Sequence, residues 1–592
     1  MSKARYLFSA AVFLPFLFFF SCKVSDPLPP PNVVLILSDD QGWGDLSMNG
    51  NRNLATPNID SLAHGGVFFS RFYVSPVCSP TRAEMLTGRY HPRGGVYSTS
   101  AGGERLDLDE ETIGEVFSSA GYRTAAFGKW HNGMQPPYHP NARGFEEFYG
   151  FCSGHWGDYF SPMLERNGEL VEGKGFLIDD FTDNALQFME DNREQPFFLY
   201  MPFNTPHGPM QVPDEWWNDF VGKELAQRHR EPEKEDVQHT RAALAMCENI
   251  DWNVGRIIGK LKDLGLDENT IIVYFSDNGP NGWRWNEGMK GRKGSTDEGG
   301  VRSPLVISWK GTIQPERKVE NISAAIDLLP TLTDLAGIEY RPRQPLDGVS
   351  LAPLLFEQEG FPNDRLIFSH WGDRTSARSQ RYRLDQQGML FDMVEDPGQS
   401  KDIAADEQEI AATLQAAIED WKRDVLSELP AEDDRPFPVG HPDFSFTQLP
   451  ARDAQAEGGV VRSNRFPNCS FYTNWKTLDD GISWDVEVLE SGEFEATLYY
   501  TCAKGDEGST FELSFGDSKL RGVIEEAWDP PLTGMENDRV ERNNSYVKDF
   551  RPLDAGIISL EKGRGALSLK ALDIPGSQVM DFRLLMLRRV GR

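Results

Sequence analysis

The chain has no basic surplus to offer a polyanion. Its 592 residues carry 91 acidic against 60 basic side chains, a formal charge of −31. That excludes nucleic acid and an anionic membrane surface as main partners, although a local basic pocket can still hold an anion inside an acidic surface. Cysteine is scarce. Six occur, at 22, 78, 152, 247, 469 and 502, with no Cys-x-x-Cys spacing, which argues against a zinc site. Cys469 and Cys502 share the C-terminal region and are the pair expected to join in an oxidising compartment. Long apolar runs are also missing: residues 7–20 form a stretch shorter than the roughly 18 residues that span a bilayer. That stretch follows Lys3 and Arg5 and ends in Ser21-Cys22. A basic start, a short apolar run and a small residue at the cut read as an export signal over residues 1–22. Cys22 then reads as the lipidated first residue of a lipoprotein, with plain signal cleavage as the alternative because Phe19 stands where such signals usually have Leu. The expected location is the periplasm or cell surface, with the membrane touched only through a lipid on Cys22.

What is present fills several cores. With 39% hydrophobic residues over this length, roughly three to four domains are expected. After Pro-rich residues 27–31, residues 32–37 are an uninterrupted apolar run, as a strand buried on both faces reads. It ends in Ser38-Asp39-Asp40-Gln41-Gly42. Paired aspartates there suit a hard cation or, equally, a turn that caps a helix. The pattern of helix, apolar strand, then polar residues recurs. Helices are expected over 112–121, 182–191, 241–264, 324–336 and 407–426. Strands are expected over 123–127, 196–201, 270–275 and 305–309. Polar groups follow the strands in Gly128-Lys129-Trp130-His131, Asn204-Thr205-Pro206-His207 and Ser276-Asp277-Asn278-Gly279. This predicts an α/β doubly wound, mostly parallel sheet whose functional groups gather at one edge. The expected catalytic domain covers 30–350, with a small α+β subdomain over 351–430. Residues 430–450 read as a Pro-rich, charged linker. Beyond it, alternating stretches such as 484–488 and short strands with Gly turns predict an appended β-sandwich over 447–592. That module is expected to supply no catalytic group, and a chain ending near Leu429 to keep its turnover. Trp475 and Trp528 are candidates for stacking on sugars or for its core.

One stretch remains, Cys78-Ser79-Pro80-Thr81-Arg82, followed by Leu86-Thr87-Gly88-Arg89. From residue types alone it is a thiol before a rigid turn with a guanidinium nearby. Such an arginine lowers a thiol pKa and favours nucleophilic chemistry; the alternative is a buried structural cysteine.

The stretch resembles the signature of the type I sulfatases, in which this cysteine is oxidised to formylglycine by a maturation enzyme. The resemblance extends over most of residues 32–430. It includes, in order, blocks around Asp39 and Asp40, Cys78 and Arg82, Lys129 and His131, His207, Asp277 and Asn278, and Lys293. It implies an alkaline-phosphatase-like fold and hydrolysis of sulfate monoesters. It further implies one calcium ion held by Asp39, Asp40, Asp277, Asn278 and the modified Cys78. Arg82 would help to activate the nucleophile, Lys129 and Lys293 would hold the sulfate oxygens, and His207 with Lys293 would protonate the leaving oxygen. His131 would take the proton whose loss releases sulfate. Arg302, also a family feature, reads as structural. Sulfated oligosaccharides or polysaccharides are the expected substrates, and Trp283-Arg284-Trp285 the expected pocket lining. Two alternatives stand beside this: a formylglycine-dependent phosphonate or phosphodiester hydrolase, and a non-catalytic glycan-binding surface lipoprotein.

Overall fold

The computed structural model describes Met1 and residues 29–591. The export signal and Cys22 lie outside the described residues. The centre is an eleven-stranded mixed sheet. Its middle strands, Thr270–Ser276, Asn32–Asp39, Phe197–Pro206, Arg123–Lys129 and Glu147–Phe151, are neighbours in that order and run parallel. Asn32–Asp39 is buried at all eight positions, which is why it lacks polar alternation. Its side chains still divide between two cores. Val33, Leu35 and Leu37 pack with helices Cys78–Thr87, Ile113–Ser119 and Leu328–Leu335. Val34 and Ile36 pack with Leu177–Asp191 and Val237–Asp263. Thr112 caps its helix by accepting from the Glu115 amide while Glu115 reaches back to the Thr112 amide, a reciprocal cap.

The register places the site. Ser38 lies opposite Ser276 and Asp39 opposite Pro206. The residues that follow these strands are therefore delivered side by side at one sheet edge.

Two local expectations change, and one hairpin appears where none was expected. Cys78-Ser79-Pro80 is not a turn but the start of helix Cys78–Thr87, buried along its whole length; proline in a first turn removes only an amide that has no helical partner. Residues 163–172 form a hairpin, Met163–Arg166 with Glu169–Glu172. Its turn is Asn167-Gly168, both with positive φ, a strong hairpin signal. The 430–450 stretch holds strands as well as loop. Phe437–Val439 pairs with Gly481–Val488, and Phe446–Pro450 with Asp581–Arg589.

A small four-stranded antiparallel sheet (Ile367–Trp371, Arg374–Arg378, Tyr382–Leu384, Leu390–Asp392) packs under helix Gln408–Val425. Two six-stranded sheets from Phe437 onward close over one shared core. Trp475 belongs to that core and donates its Nε1–H to the Asp480 carbonyl, so it presents no face to a sugar. Trp528 is half-buried. The Cys469–Cys502 pair does not form. All five described cysteines are free and buried. Cys469 Sγ faces the His155 carbonyl at 3.0 Å, while Cys502 lies by its own chain at Ala503.

The C-terminal sheets are keyed into the catalytic part by buried polar contacts. Arg452 Nη2 meets Glu104 Oε1 at 2.9 Å, both side chains almost fully buried. Gln448 Nε2 donates to Glu165 Oε2 at 2.7 Å, and Arg539 Nη2 to the Val212 carbonyl at 2.7 Å. Removing one partner of a buried ion pair strands the other. Arg452→Met is therefore expected to cost about 3–5 kcal/mol in thermal or urea unfolding. A chain ending at Leu429, which leaves Glu104 without its arginine and Glu165 without the Gln448 donor, is expected to melt well below the full chain rather than keep its turnover. Equal melting temperatures would show that the junction is not structural.

Candidate active site

Asp39 is the last residue of its strand and Asp40 follows in a left-handed conformation, φ 68°. His131 is also left-handed, φ 71°. Such strain in non-glycine residues persists where the surroundings over-determine it, and it gathers at functional sites. The Asp40 amide donates to Asp277 Oδ1 at 3.1 Å, and Asn278 Nδ2 to Asp40 Oδ1 at 2.8 Å. Three cations face these groups. Lys129 Nζ lies 2.7 Å from Asp39 Oδ2, Lys293 Nζ 2.6 Å from Asp40 Oδ1, and Arg82 Nη2 2.9 Å from Asp277 Oδ2. Arg82 Nη1 also donates to the Lys129 carbonyl at 2.7 Å. The Cys78 thiol joins Asp39 and Asp277, with ligand atoms all within 4.8 Å of one another; Asp39, Asp40 and His207 form a second such group.

Burial sets the titration of this cluster. It would raise Asp40, but Lys293 and His207 hold that carboxyl well below its usual range. Burial and the neighbouring Asp39 push Asp277 up to about 7. Burial also pushes the Cys78 thiol up, and Lys129 and Lys293 only partly oppose it. The expectation that Arg82 makes a reactive thiolate is thereby overturned: the thiol is desolvated and the guanidinium is committed to Asp277.

The two histidines have readable tautomers. His131 Nε2 lies 2.9 Å from the Thr99 carbonyl. A carbonyl only accepts, so Nε2 carries the proton and the lone pair is at Nδ1, which is buried without a partner. Burial and Lys129 lower its pKa well below the ordinary value. By the same reasoning His207 Nδ1–H donates to the Gly208 carbonyl at 2.7 Å, leaving Nε2 free, 3.8 Å from Asp40 Oδ2. Burial and Lys293 bring His207 down to about 3.

Three oxygens decide whether a cation fits. Asp39 Oδ1, Asp40 Oδ2 and Asn278 Oδ1 are all buried with no hydrogen-bond partner. Buried polar atoms without partners are costly. A set of hard oxygens at one point suits calcium.

Some neighbours were not legible in the sequence. His155 is buried and stacked on His207, ring centroids 5.9 Å apart. Both amide atoms of Asn204 are buried and unpartnered. His155 carries no spacing signal; Asn204 stands in the polar block with His207, but no role is predicted for it. Trp283-Arg284-Trp285 is split between surface and interior. Trp283 lines an open cleft, but Arg284 is buried on Asp45. Arg302 donates to the Ser70 carbonyl and stacks on Trp43, a structural role.

Fold and site together define a hydrolase that handles an anionic ester at the end of a parallel sheet. The Sulfatase family matches residues 31–338, and the family N-sulphoglucosamine sulphohydrolase, C-terminal, matches residues 293–424. N-acetylgalactosamine-6-sulfatase of Mus musculus is 33% identical over 384 residues, 59% of this chain and 70% of that protein. Arylsulfatase A of Homo sapiens is 34% identical over 379 residues, 57% and 70% of the two chains. The crystal structure of Ps i-CgsB in complex with k-i-k-neocarrahexaose is 30% identical with a TM-score of 0.62, covering 68% of this chain and 95% of that one. The chain belongs to the sulfatase family, and it is a sulfuric ester hydrolase.

The helix that begins at Cys78 carries its own pH dependence. Burial pushes Glu84 up to about 8, against hydrogen bonds from Ser75 Oγ and the His91 amide. A raised carboxyl pKa gives stability that is complete below the unfolded value and is lost as pH rises through the folded one. Between about pH 4.5 and pH 8 the protein is expected to lose about 1.4 kcal/mol per pH unit from this group, and nothing further above pH 8. Denaturant unfolding at pH 5, 6, 7 and 9 should show that share of the slope below pH 8 vanish in Glu84→Gln; an unchanged slope there would contradict it.

Proposed function

We propose that this sulfatase removes sulfate from a sulfated saccharide, using a formylglycine made from Cys78 by a maturation enzyme and one calcium ion. Asp39, Asp40, Asp277, Asn278 and the residue at 78 would hold the ion. The observation that carries the reading is the trio of partnerless buried oxygens, Asp39 Oδ1, Asp40 Oδ2 and Asn278 Oδ1, in the cluster that contains Cys78. When present, the hydrated aldehyde supplies an oxygen nucleophile and the ion supplies positive charge beside it.

The chain's own residues do the rest. Lys129 and Lys293 bring two ammonium groups to the place where sulfate oxygens gather charge. Arg82 fixes Asp277 and the Lys129 backbone at once. His131, neutral with its lone pair at Nδ1, is the base. His207 hands a proton from Nε2 to the leaving oxygen, since its Nδ1–H is committed to Gly208. The negative ester opposes the cations that depress His207, so the ring gains its proton when substrate is bound. The saccharide assignment is supported by the carrageenan hexasaccharide in the Ps i-CgsB complex. Export and a lipid on Cys22 belong to the same proposal and rest on the sequence alone.

Release of sulfate from 4-nitrophenyl sulfate, against release of phosphorus products from 4-nitrophenyl phosphate and a phosphonate monoester, tests the reaction class. Sulfate release is expected to dominate, with peptide mass spectrometry showing formylglycine at 78 and Cys78→Ala inactive. Dominant phosphorus hydrolysis would give the site to the alternative chemistry, and full activity of Cys78→Ala would remove the nucleophile. The acid role has a sharper signature. A sugar alkoxide needs protonation far more than 4-nitrophenolate does. His207→Ala is expected to lose on the order of 100- to 10,000-fold on a sugar sulfate and clearly less on the aryl ester. His131→Ala is expected to slow both alike. Equal losses in His207→Ala would mean that the ring only shapes its loop.

A further inference from the structure

A cleft of about 780 Å³ opens beside Lys293 and is lined by Arg230, Lys234, Trp283, Arg292 and Arg374. Its wall is tied to the Cys78 segment, because the Gly294 amide donates to the Pro76 carbonyl at 2.7 Å. The cleft is cationic in a chain of net charge −31. The acids on its rim are already engaged, two of them with lysines of the same cleft. Glu231 pairs with Lys234 and Asp297 with Lys290, while Asp402 Oδ1 accepts from the Leu390 and Ala404 amides. Among the described residues, no carboxylate lies within 4.0 Å of Arg230, Arg292 or Arg374; Arg230 instead donates to the Gly288 and Gly398 carbonyls. Arg292 stacks over Trp283, 5.1 Å from the ring centre. Stacking holds a guanidinium flat while leaving its N–H edge free for an oxyanion. Unpaired arginines converging on an open cleft are an anion site waiting for a ligand.

We propose that this cleft is a second anion subsite. It takes a negatively charged substituent, a sulfate ester or a carboxylate, on a sugar adjoining the one held over Cys78. The proposal rests on the sulfatase reading above and deepens it: the preferred substrates carry more than one anionic group, and the small antiparallel sheet, through Arg374, helps to select them. Trp283 acts as a positioning residue for Arg292.

Titration calorimetry on the full chain tests this with four probes: inorganic sulfate, a sulfated carrageenan hexasaccharide, hexagalacturonate and neutral cellohexaose. The sulfated hexasaccharide is expected to bind far more tightly than cellohexaose. Its Kd is expected to rise about tenfold in Arg292→Ala and in Arg374→Ala, more than the Kd for inorganic sulfate rises. Trp283→Ala should weaken the hexasaccharide in the same direction. Arginine-dependent binding of hexagalacturonate would assign carboxylates to the cleft, and its absence would assign sulfates. Arg292→Gln and Arg230→Ala repeat the measurement should an alanine variant fold poorly. The proposal is overturned if cellohexaose binds as tightly as the sulfated probe, if neither anionic hexasaccharide binds, or if the arginine variants leave both Kd values unchanged. Failure of the parent protein to release sulfate from 4-nitrophenyl sulfate would strike the sulfatase reading instead, while arginine-dependent binding would leave the cleft assignment standing.

Discussion

Three carboxylates share a space closed to bulk solvent. Asp39, Asp40 and Asp277 are fully buried, and the register of parallel strands brings them there: Ser38 sits opposite Ser276, so Asp39-Asp40 and Asp277-Asn278 that follow meet. Such a cluster is tolerable because Arg82, Lys129 and Lys293 arrive from other elements to face it. Each cation is delivered by a different device: a buried helix, a strand end and a loop tied to Pro76. Burial works to raise both Asp40 and Asp277, so their opposite shifts come from their neighbours. The first has a dedicated lysine, and the second competes with Asp39 for its neighbours.

Much of this was readable from residue order. The run 32–37 announces a doubly buried strand because every position is apolar, and Asn32–Asp39 is buried throughout. Thr112 and Glu115 mark a helix start by their reciprocal cap. The ten site residues stand in sequence blocks, and the fold collects them at one edge. Other features had no such signal. Helix Cys78–Thr87 has no exposed face, since its polar and apolar residues alike are buried, so periodicity is silent and Pro80 suggests a turn. His155 reaches His207 through tertiary packing alone. Of the readings open for Cys78, the thiol activated by Arg82 is disfavoured because desolvation, which no sequence displays, outweighs the nearby cations.

The C-terminal sheets change meaning in the same way. By texture they are a separate module, and two sheets around one core agree with that. Yet Arg452 crosses into the catalytic part to meet Glu104, and Asn468 Nδ2 donates to the Thr99 carbonyl that also orients His131. The polarity of the surface carries a second lesson. A strongly acidic chain repels polyanions in general, so the unneutralised arginines near Lys293 set a local exception.

The central claim is that the partnerless oxygens at the strand ends are cation ligands. Equilibrium dialysis against calcium, followed by elemental analysis of the parent protein and of Asn278→Ala, tests it most directly. One calcium ion per chain is expected in the parent, with binding strongly weakened in the variant. Stoichiometric zinc, or no divalent ion retained at millimolar calcium, would contradict it.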